Sequence, residues 1–277
     1  MPSSNLAGLR ERFKRAIPAP WRRRLRRWMT EAPLRLRDAL PDAIDAFRAR
    51  RMPPAAQRRS VSLTSSRHEF DHAGRLAAAD VLRAFETCRD PDRSYPRWLD
   101  FGCGAGRVAR HVVDSPHVSE LHGVDVDRGA VSWLAARSGS VGAFSAIPVH
   151  PPTSLAAAFY DVIYAVSVFT HFDARLEAEW LEEIARLLRP RGLLVATTLS
   201  PKLVWTRPDL TEAQRRELAD TGFLFAPGSG PFNEDGAFSS RGRLEAVWGR
   251  RLRPRLFEEH GLAAYQDLSV WEKADED

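Results

Sequence analysis

The sequence predicts an α/β fold in which a mostly parallel sheet is covered by helices on both faces. Three observations carry that expectation. From about residue 74, short apolar runs alternate with amphipathic stretches at the spacing of strands and helices. A glycine-rich segment, Gly102-Cys103-Gly104-Ala105-Gly106, leaves one apolar run and enters the next helix. The following apolar run closes on an acid, Asp125, 19 residues beyond Gly106.

The elements follow in order. Residues 1–60 form a basic extension punctuated by proline, with 16 Lys+Arg against 5 Asp+Glu. Within it Trp21, Leu25 and Trp28 share one face of a short helical stretch, and arginines fill the rest. A second candidate helix runs over 41–51. Ala78, Val81, Leu82, Phe85 and Cys88 mark an amphipathic helix. Strands are expected at 98–101, 121–124, 143–149, 162–169 and 193–199, with helices at 107–113, 127–137 and 176–187 between them. Asp127 is placed to cap the second of these helices, and Pro190 to stop the third. The stretch 201–240, rich in Pro, Gly and aromatics such as Phe223, Phe225 and Phe238, breaks the rhythm. A helix near 244–248 and a strand near 265–271 complete the chain.

Composition narrows the classes further. With 277 residues, 44% hydrophobic and 28% charged, the chain can bury a sizeable core and is not a disordered polymer. Two cysteines, Cys88 and Cys103, make no disulfide framework and fit a reducing, cytoplasmic setting. No run approaches the ~18 apolar residues of a membrane span, and the basic start is not a secretory signal. The extension, 1–60, is expected to be distinct from a body spanning 61–277. Its arginine-flanked face over 21–28 suits peripheral contact with the inner face of an anionic membrane. It suits packing against an acidic surface as well, and RNA phosphates less well.

The sequence from Trp98 to Arg107 resembles the class I S-adenosylmethionine-dependent methyltransferases, whose loop reads Asp-x-Gly-x-Gly-x-Gly. The resemblance covers roughly 67–277, and four pieces stand in family order. They are the loop starting at Asp100, the acid in Gly123-Val124-Asp125, Tyr160-Asp161 leading to Ser167-Val168-Phe169-Thr170-His171, and Leu187-Leu188-Arg189-Pro190-Arg191-Gly192. The resemblance implies a Rossmann-like sheet of seven strands, with an antiparallel last strand ending at Gln266–Trp271. It implies S-adenosyl-L-methionine as cofactor. Asp100 would orient the methionine part, with Gly102, Cys103, Gly104 and Gly106 beneath it. Asp125, followed by Val126, would hold the ribose hydroxyls, and Ser167 would border the methyl group. Where relatives place an acid toward adenine, this chain offers Ser145. Pro190-Arg191-Gly192 also departs from the usual Pro-Gly-Gly.

Ser167-Val168-Phe169-Thr170-His171 together with Gln266-Asp267-Leu268 is similar to bacterial methyltransferases associated with glycan assembly. That likeness implies a sugar hydroxyl, or another small molecule, as acceptor. An alcohol acceptor needs a general base, and His171 stands at the expected edge of the sheet. The plainer reading of His171 is packing or capping of the next helix. Segment 201–240 is then an insertion on the acceptor side.

Three rivals remain. His68-Glu69-Phe70-Asp71-His72 matches the zinc-protease pattern His-Glu-x-x-His, though Arg75 and Ala78 fail its extension and no metal is expected. The segment is also placed to fold over the cofactor entrance. Asp125-Val126-Asp127 imitates the Asp-x-Asp of metal-dependent nucleotide-sugar glycosyltransferases. A non-catalytic adaptor acting through the basic arm is the third.

Overall fold

A computed structural model describes residues 52–62, 65–138, 142–228 and 235–275. The basic stretch 1–51, with the Trp21/Leu25/Trp28 face and the candidate helix over 41–51, lies outside the described residues. The chain divides into two compact units, Met1–Met52 with Ser65–Arg67, and Pro53–Thr64 with His68–Asp277. The second unit is the body described below.

Two helices, α1 (Ala55–Ser62) and α2 (Arg67–Cys88), precede the first strand. Then come β1 (Arg97–Phe101), α3 (Ala109–Val112), β2 (Glu120–Asp125), α4 (Arg128–Ser138), β3 (Ala143–Ala146) and β4 (Tyr160–Ala165). A short 3-10 turn at Phe169–His171 leads to α5 (Ala174–Leu187) and β5 (Leu188–Thr198). After a second 3-10 segment the chain forms α6 (Glu212–Thr221), β6 (Phe223–Ala226), β7 (Gly236–Ser239), α7 (Arg241–Trp248), β8 (Leu252–Leu262) and β9 (Gln266–Lys273).

Seven strands make one sheet in the order β3-β2-β1-β4-β5-β9-β8. β1 through β5 pair in parallel, and β9 runs antiparallel to both β5 and β8. This is the expected Rossmann-like arrangement. Because both faces are covered, the central strands read as unbroken apolar runs whose side chains alternate between two cores. Trp98, Val162, Tyr164, Val195 and Val270 pack under α2 and α3. Leu99, Ile163, Ala165, Leu194 and Trp271 pack under α5 and α7. Reversal of strand order between β1 and β4 opens a crevice at their carboxyl ends, where such sheets place ligands.

Several elements differ from the sequence expectation, each for a local reason. Helix α2 starts at Arg67, so the His68–His72 segment is helical despite the glycine behind it. Gly74 is required there because a Cβ would come within 2.1 Å of the Arg107 carbonyl oxygen. Helix α3 spans four residues rather than seven, since turn structure continues from the glycine loop through Val108. The fourth strand stops at Ala165, because Ser167 adopts a left-handed φ of 60° and turns the chain. Strand β5 begins at Leu188, ahead of Pro190, which sits in an irregularity of the β4–β5 ladder. There Arg191 takes a φ of 60°, where the family pattern has glycine, and pairs with Asp90 at 2.8 Å.

Strand β8 completes the seven, at a position the sequence pattern does not mark. It is an edge strand carrying Pro254, Arg253, Arg255, Glu258 and Glu259, a composition that blunts sheet edges but hides the strand pattern. The 201–240 stretch builds its own small core from Leu203, Leu210, Leu218, Leu224 and Phe238 beneath the β6–β7 pair. Helix α7 is anchored by buried Glu177 of α5, which accepts from Arg243 Nη1 at 2.6 Å and Trp248 Nε1 at 2.8 Å.

Candidate active site

A cavity of about 500 Å³ opens at the carboxyl ends of β1, β2 and β4, within the size range of small-molecule sites. The glycine loop forms its floor. Gly102 and Cys103 both donate their backbone N–H to the Val124 carbonyl, at 2.8 and 2.9 Å, which folds the loop back over β2. Gly102 has a φ of +83°, and a Cβ there would lie 2.3 Å from Val168 Cγ2. No side chain fits. Gly104 lines the cavity, whereas Gly106 sits beneath the loop against Leu134.

Asp125 ends β2 and points both carboxylate oxygens at backbone donors. Oδ2 accepts from Gly104 N at 2.7 Å, and Oδ1 from Asp127 N at 2.8 Å. Burial pushes its pKa up, and the N–H groups of Asp127 and Gly104 oppose that rise. Each oxygen keeps a free lone-pair direction, so a diol can still be accepted from the cavity side.

Asp100, at the end of β1, is buried on the same wall, and its Oδ2 has no hydrogen-bond partner. Burial lifts its pKa to about 7, aided by Asp125 and opposed by Tyr164 and Arg107. A buried, unpaired carboxylate is unfavourable unless a cation meets it. Arg107 also lines the cavity; burial draws its pKa down and Asp100 draws it back up. The two side chains offer opposite charges to one end of a ligand. The turn of Arg107 toward the cavity was not readable from spacing.

The far end of the cavity is apolar. Val126 and Val149 stand 53% and 57% exposed there, unusual for such side chains, with Ile147 and Trp180 beside them. Trp180 is held in place by its Nε1 donating to the Val149 carbonyl at 3.0 Å. Ser145 is exposed on β3 and does not line the cavity. Beyond the end of β3 at Ala146, Ile147 and Val149 line the cavity.

The opposite end holds Ser167, His171 and Asp235. Ser167 is fixed by its N–H donating to Thr197 Oγ1 at 2.8 Å and by Gln266 Nε2 donating to its Oγ at 2.9 Å. His171 closes the 3-10 turn, and its buried Nδ1 has no hydrogen-bond partner. Burial lowers its pKa below 6.5, while nearby Asp235 raises it. Helix α5 is capped by Asp173 rather than by His171. Asp235 was not anticipated, because it comes from the far end of the 201–240 stretch.

The remaining motif residues do other work. Asp127 caps α4 as expected, its Oδ1 accepting from Gly129 and Ala130 N–H at 2.9 and 3.0 Å. Burial raises the Cys103 pKa, so it stays a thiol and fills space. His68 and His72 stack at 6.0 Å on exposed helix surface, and neither lines the cavity. The segment's one apolar residue, Phe70, turns into the core. Among the described residues no three His, Cys, Asp or Glu side chains are grouped to hold a metal ion. No described helix is long and apolar enough to cross a membrane.

A family model described as a methyltransferase domain matches residues 67–262. The chain belongs to this family. The methyltransferase also shares its fold with solved structures of low sequence identity. A protein from Methanosarcina mazei described as an S-adenosylmethionine-dependent methyltransferase is 14% identical, with a TM-score of 0.52, over 66% of this chain and 95% of that one. One from Mesorhizobium loti is 15% identical, with a TM-score of 0.50, over 72% and 100%. The 1,6-didemethyltoxoflavin-N1-methyltransferase of Burkholderia thailandensis, solved with S-adenosylhomocysteine, is 18% identical, with a TM-score of 0.52, over 81% and 92%. No curated protein matches this sequence. The residues present fit S-adenosyl-L-methionine: an orphaned carboxylate for an ammonium, a glycine floor no Cβ could share, a carboxylate for a diol, and an apolar slot. The glycosyltransferase reading is not favoured, because it leaves the glycine loop unexplained and Asp127 is already committed to its helix.

Proposed function

We propose that this methyltransferase moves a methyl group from S-adenosyl-L-methionine to a hydroxyl oxygen of a glycan or another small-molecule acceptor. The observation that carries this reading is one cavity lined both by an acid with an unpartnered oxygen, Asp100, and by a histidine with an unpartnered ring nitrogen, His171. Asp100 and Arg107 oppose the charges of the methionyl ammonium and carboxylate. Asp125 would accept from the ribose hydroxyls, and Val126, Ile147 and Val149 offer an apolar wall for the base. The bound donor supplies a methyl group on a positively charged sulfur, so the chain need only align and deprotonate the acceptor. The His171 imidazole would take the acceptor's hydroxyl proton, while the donor, when bound, would supply the methyl group.

His171 is suited to this task because burial keeps it unprotonated at neutral pH. Its base form is present above its lowered pKa and lost below it, so turnover falls on the acid side of pH 6.5. His171→Ala is expected to leave donor affinity intact while turnover drops by roughly 10²–10⁴. A labelled-donor assay across candidate glycans measures this. Unchanged turnover would remove His171 from the reaction, and methylated amines in place of hydroxyls would change the acceptor atom.

Segment 201–240 is the acceptor-side insertion in this reading, supported by Asp235 at the cavity edge. The extension over 1–60 is read as a contact for an anionic membrane surface, on the strength of its charge and its tryptophan face. Flotation with anionic liposomes is expected for the full chain and lost without residues 1–60; equal flotation contradicts it.

A further inference from the structure

Asp100 on β1 and Tyr164 on β4 stand directly opposite each other in the parallel ladder. Strand alternation puts both on the same face of the sheet as Trp98 and Val162. Tyr164 is fully buried, and its Oη, like Asp100 Oδ2, has no hydrogen-bond partner. Burying a hydroxyl without a partner costs ~1–3 kcal/mol, a cost phenylalanine would avoid in the same space. Tyr164 does not line the cavity, so its hydroxyl touches neither donor nor acceptor.

The charged and titratable groups around the pair are few. Asp125, Arg107 and the Ala109 N–H act on Asp100, and Tyr164 feels Asp100 and Cys103. Tyr164 is the largest influence holding the Asp100 carboxyl in its charged form, against burial. The influence has the character of a side-chain hydrogen bond, although neither Tyr164 Oη nor Asp100 Oδ2 has a partner at full hydrogen-bond geometry. That bond is worth most when Asp100 is ionised, since a charged acceptor roughly doubles the strength of the interaction.

We propose that Tyr164 is a positioning residue that makes donor binding proton-linked: as an ammonium meets Asp100 from the cavity, Asp100 releases its proton to solvent and accepts from the Tyr164 hydroxyl. The inference rests on the cavity being the donor site. It assigns the hydroxyl to selecting the ionised acid, so that the ligand end of Asp100 is charged only when a cation is present to share it.

The test is calorimetric titration of the full chain with S-adenosylhomocysteine between about pH 5.5 and 8.5, in buffers of different ionisation enthalpy. The unaltered chain, Tyr164→Phe and Asp100→Asn are compared, and the ligand's own amino group titrates alike in all three. In the unaltered chain, affinity is expected to rise with pH through neutrality, with proton release. Tyr164→Phe should move that midpoint up by about one unit and weaken neutral-pH binding about 3- to 10-fold. Asp100→Asn should lose this limb of the profile entirely. A Tyr164→Phe profile with its midpoint in place, whether affinity is unchanged or lowered equally at every pH, would overturn the proposal. So would persistence of the limb in Asp100→Asn. Failure of the unaltered chain to bind would instead strike at the donor reading itself.

Discussion

Asp125→Ala is expected to weaken donor binding at least 100-fold while the protein stays folded. The carboxylate serves two masters: it accepts from Gly104 and Asp127 N–H at 2.7 and 2.8 Å, and it faces the cavity where a ribose would present its hydroxyls. Hydrogen bonds to a charged group are worth about 1.5–3 kcal/mol each, so loss of two to a diol alone accounts for the factor of 100. Slackening of the loop at Gly104 adds to it. Stability should change far less, because burial already disfavours the ionised form of this side chain. Calorimetry with S-adenosylhomocysteine, paired with a thermal melt, separates the two effects. Retained affinity would mean that the sugar is held elsewhere.

The second large effect is on folding. Gly102→Ala forces an L side chain into a φ of +83° and drives its Cβ to 2.3 Å from Val168 Cγ2. Left-handed strain costs roughly 1–2 kcal/mol, and overpacking typically about 1–3 kcal/mol more. Together these should lower the melting temperature by about 5–15 °C for a body of this size. Relief by backbone movement would carry the loop away from β2, breaking the Gly102 and Cys103 bonds to Val124 and with them the cavity floor. Donor affinity should therefore fall with stability. A variant melting within about a degree of the parent would show that the loop does not hold this geometry.

Local chemistry was legible in the sequence where neighbours in the chain are also neighbours in space. The loop Asp100–Gly106, the Asp125 terminus of β2 and the Asp127 cap each depend on a few consecutive residues, and each forms as the residue types demand. The seven-stranded sheet and its antiparallel last strand, β9, followed from the family resemblance those pieces carry. What stayed hidden depends on tertiary approach. Val149, whose carbonyl accepts from Trp180 of α5, is cavity wall through a contact 31 residues away in sequence. Asp235 reaches His171 from a stretch with its own small core. Strand β8 was concealed because an edge strand tolerates the proline and charges that spell loop elsewhere. Strand β3 ends at Ala146, sooner than the expected 143–149, and Ile147 and Val149 beyond it line the cavity.

The site also illustrates the tension between stability and ligand binding. Asp100 is held where burial lifts its pKa from 3.8 to about 7. In the empty protein this group favours folding less as pH rises from its unfolded value toward 7, because the unfolded chain sheds its proton first. A bound ammonium reverses that preference. The fold thus tolerates a poor environment for an acid at the position where a cation is to be held.

The most direct test of the donor site is a binding comparison on the intact chain. Samples are titrated with S-adenosylhomocysteine and, separately, with nucleotide sugars, each with and without manganese. One-to-one binding of S-adenosylhomocysteine, indifferent to metal and lost in Asp125→Ala, is the predicted result. Folded protein that ignores this ligand yet takes up a nucleotide sugar only with manganese would contradict it.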